Sequence, residues 1–163
     1  MMKLSASTLK RFDAEVAKFP ADQKVSAVMA CLAIVQHEQG HVPPEAEDAV
    51  AEYLGMAPIA VHEVTTFYNM YNQQPVGRYK LNVCTNLPCQ LRNGEHALEH
   101  LCSMLGVEPY GTTADGTFTV QPSECLGACA DAPVMLVNDR QMLSFMNDER
   151  LDDLVQTLKG QAK

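Results

Sequence analysis

Four cysteines in two close pairs constrain this chain more than any other feature. They read Cys84-x4-Cys89 and Cys125-x3-Cys129, with a gap between them long enough for a helix and a strand. Each pair can bring two thiolates to one metal centre, and the intervening segment can fold the second pair back beside the first. The stretch from Cys84 to Cys129 is therefore read as a metal-thiolate site. Soft sulfur ligands suit zinc, an iron–sulfur cluster or copper, so spacing has to discriminate. Structural zinc knuckles are typically short C-x2-C turns, and neither pair has that spacing. A C-x4-C step occurs in plant-type [2Fe-2S] ferredoxins, although their remaining cysteines follow another pattern.

Two irons bridged by two sulfides offer two faces, which two separate cysteine pairs can serve, one pair per iron. Four thiolates and two sulfides overbalance two ferric ions and call for backbone N–H donors nearby. Gly127, Ala128 and Ala130 keep such amides accessible. The competing assignment is two disulfides or four buried thiols. The compartment argues against it: residues 1–18 show no apolar signal core and no cleavage site, so a reducing, cytosolic-type address is expected. Cys31 and Cys102 sit on apolar helical faces and are read as small buried hydrophobes.

A formal net charge of -8 argues against nucleic acid or anionic lipid as partner. The longest apolar run, Ala27 to Val35, is far shorter than the ~20 residues a membrane-crossing helix requires.

Ahead of the cysteines, four helical segments are expected. The first runs from Leu4 to about Lys18, with Leu4, Leu9, Phe12, Val16 and Phe19 as its stripe. The second places Val25, Val28, Met29, Leu32 and Val35 on one face and stops at Gly40. The third opens at Pro44 and ends at Leu54 before Gly55, and the fourth starts at Pro58 and carries Val61, Val64, Thr65, Tyr68 and Tyr71. A break at Gln74 to Gly77 divides this helical bundle, 1–76, from an α/β domain, 77–163. There Tyr79, Leu81 and Val83 alternate as a strand leading into Cys84. A helix over Gly94 to Leu105, strands at Thr117 to Val120, Val134 to Val137 and Met142 to Phe145, and a helix over Asp148 to Leu158 follow.

His37-Glu38-Gln39-Gly40-His41 matches the H-E-x-x-H zinc-protease pattern, but Gly40 should end the helix before the second histidine. His96 and His100, four apart among glutamates, read as a solvated helix face.

Ile59-Ala60-Val61-His62-Glu63-Val64-Thr65-Thr66-Phe67-Tyr68, Val83-Cys84-Thr85-Asn86-Leu87-Pro88-Cys89, and Glu124-Cys125-Leu126-Gly127-Ala128-Cys129 with Ala132-Pro133-Val134-Met135 resemble the thioredoxin-like [2Fe-2S] subunits of NADH:quinone oxidoreductase, respiratory complex I. The resemblance covers nearly the whole chain. It implies a thioredoxin-like [2Fe-2S] domain behind an N-terminal helical bundle, with Cys84 and Cys89 on one iron and Cys125 and Cys129 on the other. It also implies a place in the peripheral arm on the cytoplasmic side of the membrane, beside a flavoprotein subunit that binds NADH and FMN. The cluster there exchanges single electrons with the flavin, off the main electron chain. A cis Ala132–Pro133 bond is a further implication. Related subunits of NAD-linked hydrogenases or formate dehydrogenases are the near alternative, and a zinc-binding interaction domain is the distant one.

Overall fold

The computed structural model describes residues 2–161. The chain forms two compact units, Met1–Pro75 and Val76–Lys163.

In the first unit Ser5 caps α1 (Ala6–Val16), its hydroxyl accepting the Thr8 N–H at 3.0 Å. A 3-10 segment over Ala21–Ala27 leads into α2 (Val28–Gln39), followed by α3 (Pro44–Leu54) and α4 (Pro58–Phe67). Phe12, Leu32, Val35, Val50, Leu54 and Val61 form its core. Prolines open α3 and α4, where a missing N–H costs no helical bond.

The expected stripe of the first helix is only partly right. Phe12 is buried, but Leu9 and Phe19 are exposed, and Thr8 takes the inward place one turn before Phe12. Its hydroxyl remains satisfied by donating to Glu38 at 2.7 Å. Val25 falls in the 3-10 segment and faces outward, because the change of helical pitch there breaks the four-residue register with α2. Tyr68 leaves α4 in an extended conformation, so Tyr71 is buried from a loop and donates its hydroxyl to the Met29 carbonyl at 2.9 Å. Glu47, buried on α3, ties down α4: it accepts from Thr65 and, at 2.9 Å, from His62 Nδ1.

The second unit is a four-stranded sheet in the order β2-β1-β3-β4. Its central strand β1 (Tyr79–Cys84) runs parallel to β2 (Phe118–Ser123) and antiparallel to β3 (Met135–Val137), which pairs in turn with β4 (Gln141–Leu143). A short helix, α5 (Leu87–Gln90), and α6 (Gly94–Leu105) connect β1 to β2, and α7 (Asp148–Gln161) closes the unit. Tyr79, Leu81 and Val83 point into a core shared with Leu98 and Leu101 of α6 and Leu151 and Val155 of α7.

The period-two pattern suggests a polar, wet face for β1, yet all six of its residues are buried. Lys80 and Asn82 are covered because β1 lies between two strands and the β3–β4 turn folds toward them. Asp139 of that turn meets Lys80 Nζ at 2.5 Å and accepts from the Asn82 amide. Asn138 and Asp139 both adopt positive φ, 52° and 54°, a conformation these two residue types tolerate in tight hairpins.

Gly77 marks the entry to β1. Its N–H donates to Thr119 Oγ1 at 2.7 Å, and a Cβ there would lie 2.8 Å from the Phe118 carbonyl carbon. Gly77→Ala should therefore push β1 from β2 and cost about 2 kcal/mol. Urea unfolding of the two proteins checks this as a lower midpoint with unchanged m-value.

Candidate metal centre

β1 delivers Cys84 to the end of the sheet, and the chain turns at once into α5, which carries Cys89. Pro88 supplies the fixed φ that suits a first helical turn. α6 begins so close to this loop that a Cβ on Gly94 would lie 2.7 Å from the Cys84 carbonyl and 2.9 Å from that of Cys89. Only hydrogen fits there, so the start of α6 is seated against the backbone of both cysteines.

The second pair follows β2. Cys125 leaves the strand, Gly127 turns at φ +78°, and Cys129 opens a 3-10 turn, Cys129–Asp131. The Ala132–Pro133 bond is cis, as the resemblance implies. Behind it, Val134 serves the first pair twice: its carbonyl accepts the Cys84 N–H at 3.1 Å, and its backbone is hydrogen-bonded to the Cys89 side chain. The Thr85 N–H donates to the Ser123 carbonyl at 3.1 Å, which sets the roots of the two loops side by side.

Cys84 and Cys89 are buried with Ala132 and Val134 in a small apolar cluster, and Leu126 and Ala128 of the second loop pack against it. Cys125 and Cys129 are exposed. All six cysteines are free thiols in this structure. Burial, and then the hydrogen bond it shares with Cys84, pushes the Cys89 thiol up to about 11; the hydrogen bond with the Val134 backbone acts the other way. Its hydrogen bond with Cys125, followed by desolvation, also raises the Cys129 thiol. The charge of Cys129 bears on Cys89 and that of Cys84 on Cys129, so the two pairs interact electrostatically.

This donor set fits a two-iron cluster. The thiols stand as two hydrogen-bonded pairs, Cys84 with Cys89 and Cys125 with Cys129. Thiols that resist ionisation beside one another release protons when cations replace them, which is the chemistry of metal uptake.

The model of the thioredoxin-like [2Fe-2S] ferredoxin family matches residues 12–159. The chain belongs to that family. A family member from Rhizobium meliloti, named as a subunit of NADH-quinone oxidoreductase, is 39% identical over 151 residues, covering 93% of this chain and 88% of that protein. NADH-quinone oxidoreductase subunit 2 of Thermus thermophilus is 38% identical over 144 residues, covering 88% of this chain and 80% of its own length. These relatives are subunits of an oxidoreductase. Among solved structures, a chain of an NAD+-reducing [NiFe]-hydrogenase superposes with a TM-score of 0.69 at 21% identity, over 84% of this chain and 23% of that one, a likeness of fold. Membership in this ferredoxin family implies a [2Fe-2S] cluster.

The other motifs fall away from the site. α2 ends at Gln39, Gly40 takes φ +81°, and His41 lies beyond the helix, so the zinc-protease pattern has no continuous face. His96 and His100 are more engaged than a solvated face would be: they meet Asp148 at 3.1 Å and Asp152 at 2.8 Å across the α6–α7 contact. α5, the seat of Gly94 and the backbone role of Val134 escape sequence reasoning, because each arises from chain segments brought together only in the fold.

Proposed function

We propose that this chain is the [2Fe-2S]-carrying subunit of an NADH-quinone oxidoreductase, with Cys84 and Cys89 holding one iron and Cys125 and Cys129 the other. The observation that carries this reading is that the second cysteine loop packs Leu126 and Ala128 against the buried cluster of Cys84, Cys89, Ala132 and Val134, in a chain whose relatives carry that enzyme's name. When bound, the cluster supplies one-electron transfer, exchanged with the FMN of an NADH-binding partner subunit.

The chain's own residues do the rest. Cys84 and Cys89 fix the inner side of the site in an apolar surround, which raises the cost of added negative charge, while the Val134 backbone contact to Cys89 offsets part of that cost. Cys125 and Cys129 keep the outer side at the surface, where a docked partner can approach. Leu87 and Leu91, 63% and 77% exposed on the loop around Cys89, add apolar area beside it. The helical unit, 1–76 by the sequence reading, serves as a docking element. No described helix is long and apolar enough to cross a membrane. A subunit of this kind would sit in a peripheral arm on the cytoplasmic side.

Anaerobically purified protein should contain two irons and two acid-labile sulfides per chain. After dithionite reduction it should give a low-temperature electron paramagnetic resonance signal of one [2Fe-2S] centre. Stoichiometric zinc with a silent spectrum would sink the proposal. Copurification with hydrogenase subunits, rather than with NADH-quinone oxidoreductase subunits, would move the chain to the other complex whose fold it shares.

A further inference from the structure

We infer that Asn86 and Glu124 form a clasp that holds the two cysteine loops at the separation a cluster requires, with both acting as positioning residues. The inference rests on the reading of Cys84, Cys89, Cys125 and Cys129 as cluster ligands. Asn86 lies between the cysteines of the first pair, and Glu124 immediately precedes the second. Asn86 Nδ2 donates to Glu124 Oε2 at 3.0 Å, joining residues 38 apart in the chain.

Two observations make this a built contact. The parallel ladder of β1 and β2 runs from the Tyr79–Phe118 pair to the Cys84–Ser123 pair and is extended by the Thr85 N–H bond to the Ser123 carbonyl. The Asn86–Glu124 bond lies just past the end of that ladder, one residue off its register, which would set Thr85 opposite Glu124. It is made by side chains because the two backbones there part into the cysteine loops. Asn86 also stands at the N-cap of α5, φ -67° and ψ 158°, where an asparagine ordinarily accepts a helical N–H, yet its side chain makes no capping bond. Pro88 removes one of the donors it would have capped, and the amide is directed across to the other loop.

The acceptor is a carboxylate, so the bond is charge-assisted. The pair is near the surface, which keeps its contribution to global stability small. Its effect falls instead on local opening of the two loops, whose backbones the ladder has already brought together. Glu124 also fixes a negative charge next to Cys125, which disfavours the extra electron of the reduced cluster.

The test uses the full-length, cluster-loaded chain. Iron and sulfide are counted first: a wild-type protein without two of each overturns the cluster reading and the clasp with it. With the wild type loaded, cluster loss to an excess of an iron chelator is followed by visible absorbance. Asn86→Ala and Glu124→Ala should each lose the cluster roughly three- to tenfold faster, the scale of one net hydrogen bond at an exposed site. The double variant should be no faster than the quicker single one, since both remove the same contact. Glu124→Gln keeps an acceptor for Asn86, so it should lose the cluster at close to the wild-type rate while its midpoint potential moves positive. Asn86→Asp, nearly unchanged in shape, sets two carboxylates face to face and should lose the cluster at least as fast as Asn86→Ala. Wild-type loss rates in Asn86→Ala and Asn86→Asp, or single effects that multiply in the double variant, would overturn the clasp. An unmoved potential in Glu124→Gln would overturn the role given to its charge.

Discussion

Cys89→Ala and Cys125→Ala should each lose the [2Fe-2S] absorbance and the reduced-state resonance, the largest functional effects available in this chain. In the proposed ligand set each iron would rely on two thiolates, so deleting one would leave an incomplete coordination sphere. The two variants should nevertheless differ in their apo forms. Cys89 is 1% exposed within the apolar cluster of Ala132 and Val134, so removing its sulfur leaves a cavity. Cys125 is exposed, and its removal should leave the apo fold close to wild type. Iron and sulfide analysis together with thermal melting of the apo proteins separates the two effects. A loaded Cys125→Ala protein with an unchanged resonance would remove Cys125 from the ligand set.

Asp139→Asn should destabilise the second unit by about 3 kcal/mol, because it removes one charge from an ion pair whose other member is buried. The side chain of Lys80 is 3% exposed and meets Asp139 at 2.5 Å. Asparagine preserves the positive-φ turn conformation at this position, which isolates the charge from backbone effects. Adding Lys80→Met should recover much of the loss, since the buried charge leaves with its partner. Urea titrations of the two single variants and the double variant form the cycle that decides it. Equal stability of Asp139→Asn and wild type would mean that the pair contributes nothing net.

Much of the fold follows from local rules. α3 and α6 occupy the spans that Pro44 to Gly55 and Gly94 to Gly106 announce, because proline starts, glycine stops and apolar spacing act over a few residues. The buried polar residues share one cause. Leu9, Phe19 and Val25 satisfy an apolar pattern yet face outward, while Thr8, Glu47, Lys80 and Asn82 are buried. A polar residue can be buried when a distant partner completes it: Glu38 for Thr8, Thr65 and His62 for Glu47, Asp139 for Lys80 and Asn82. Periodicity contains no information about such partners.

The cysteine stretch divides along the same line. Two close pairs in one chain are enough to indicate metal binding, because ligand type and short spacing are properties of a few consecutive residues. The family likeness of the flanking motifs narrows the metal to a [2Fe-2S] cluster. Tertiary structure alone makes Cys84 and Cys89 the buried pair and Cys125 and Cys129 the exposed one. It also seats Gly94 against the backbone of the first pair, brings Val134 to Cys84 and Cys89, and sets Asn86 opposite Glu124. Burial and hydrogen bonding between loops about 40 residues apart depend on where the parallel ladder of β1 and β2 ends, and that register is set by the packing of the whole sheet.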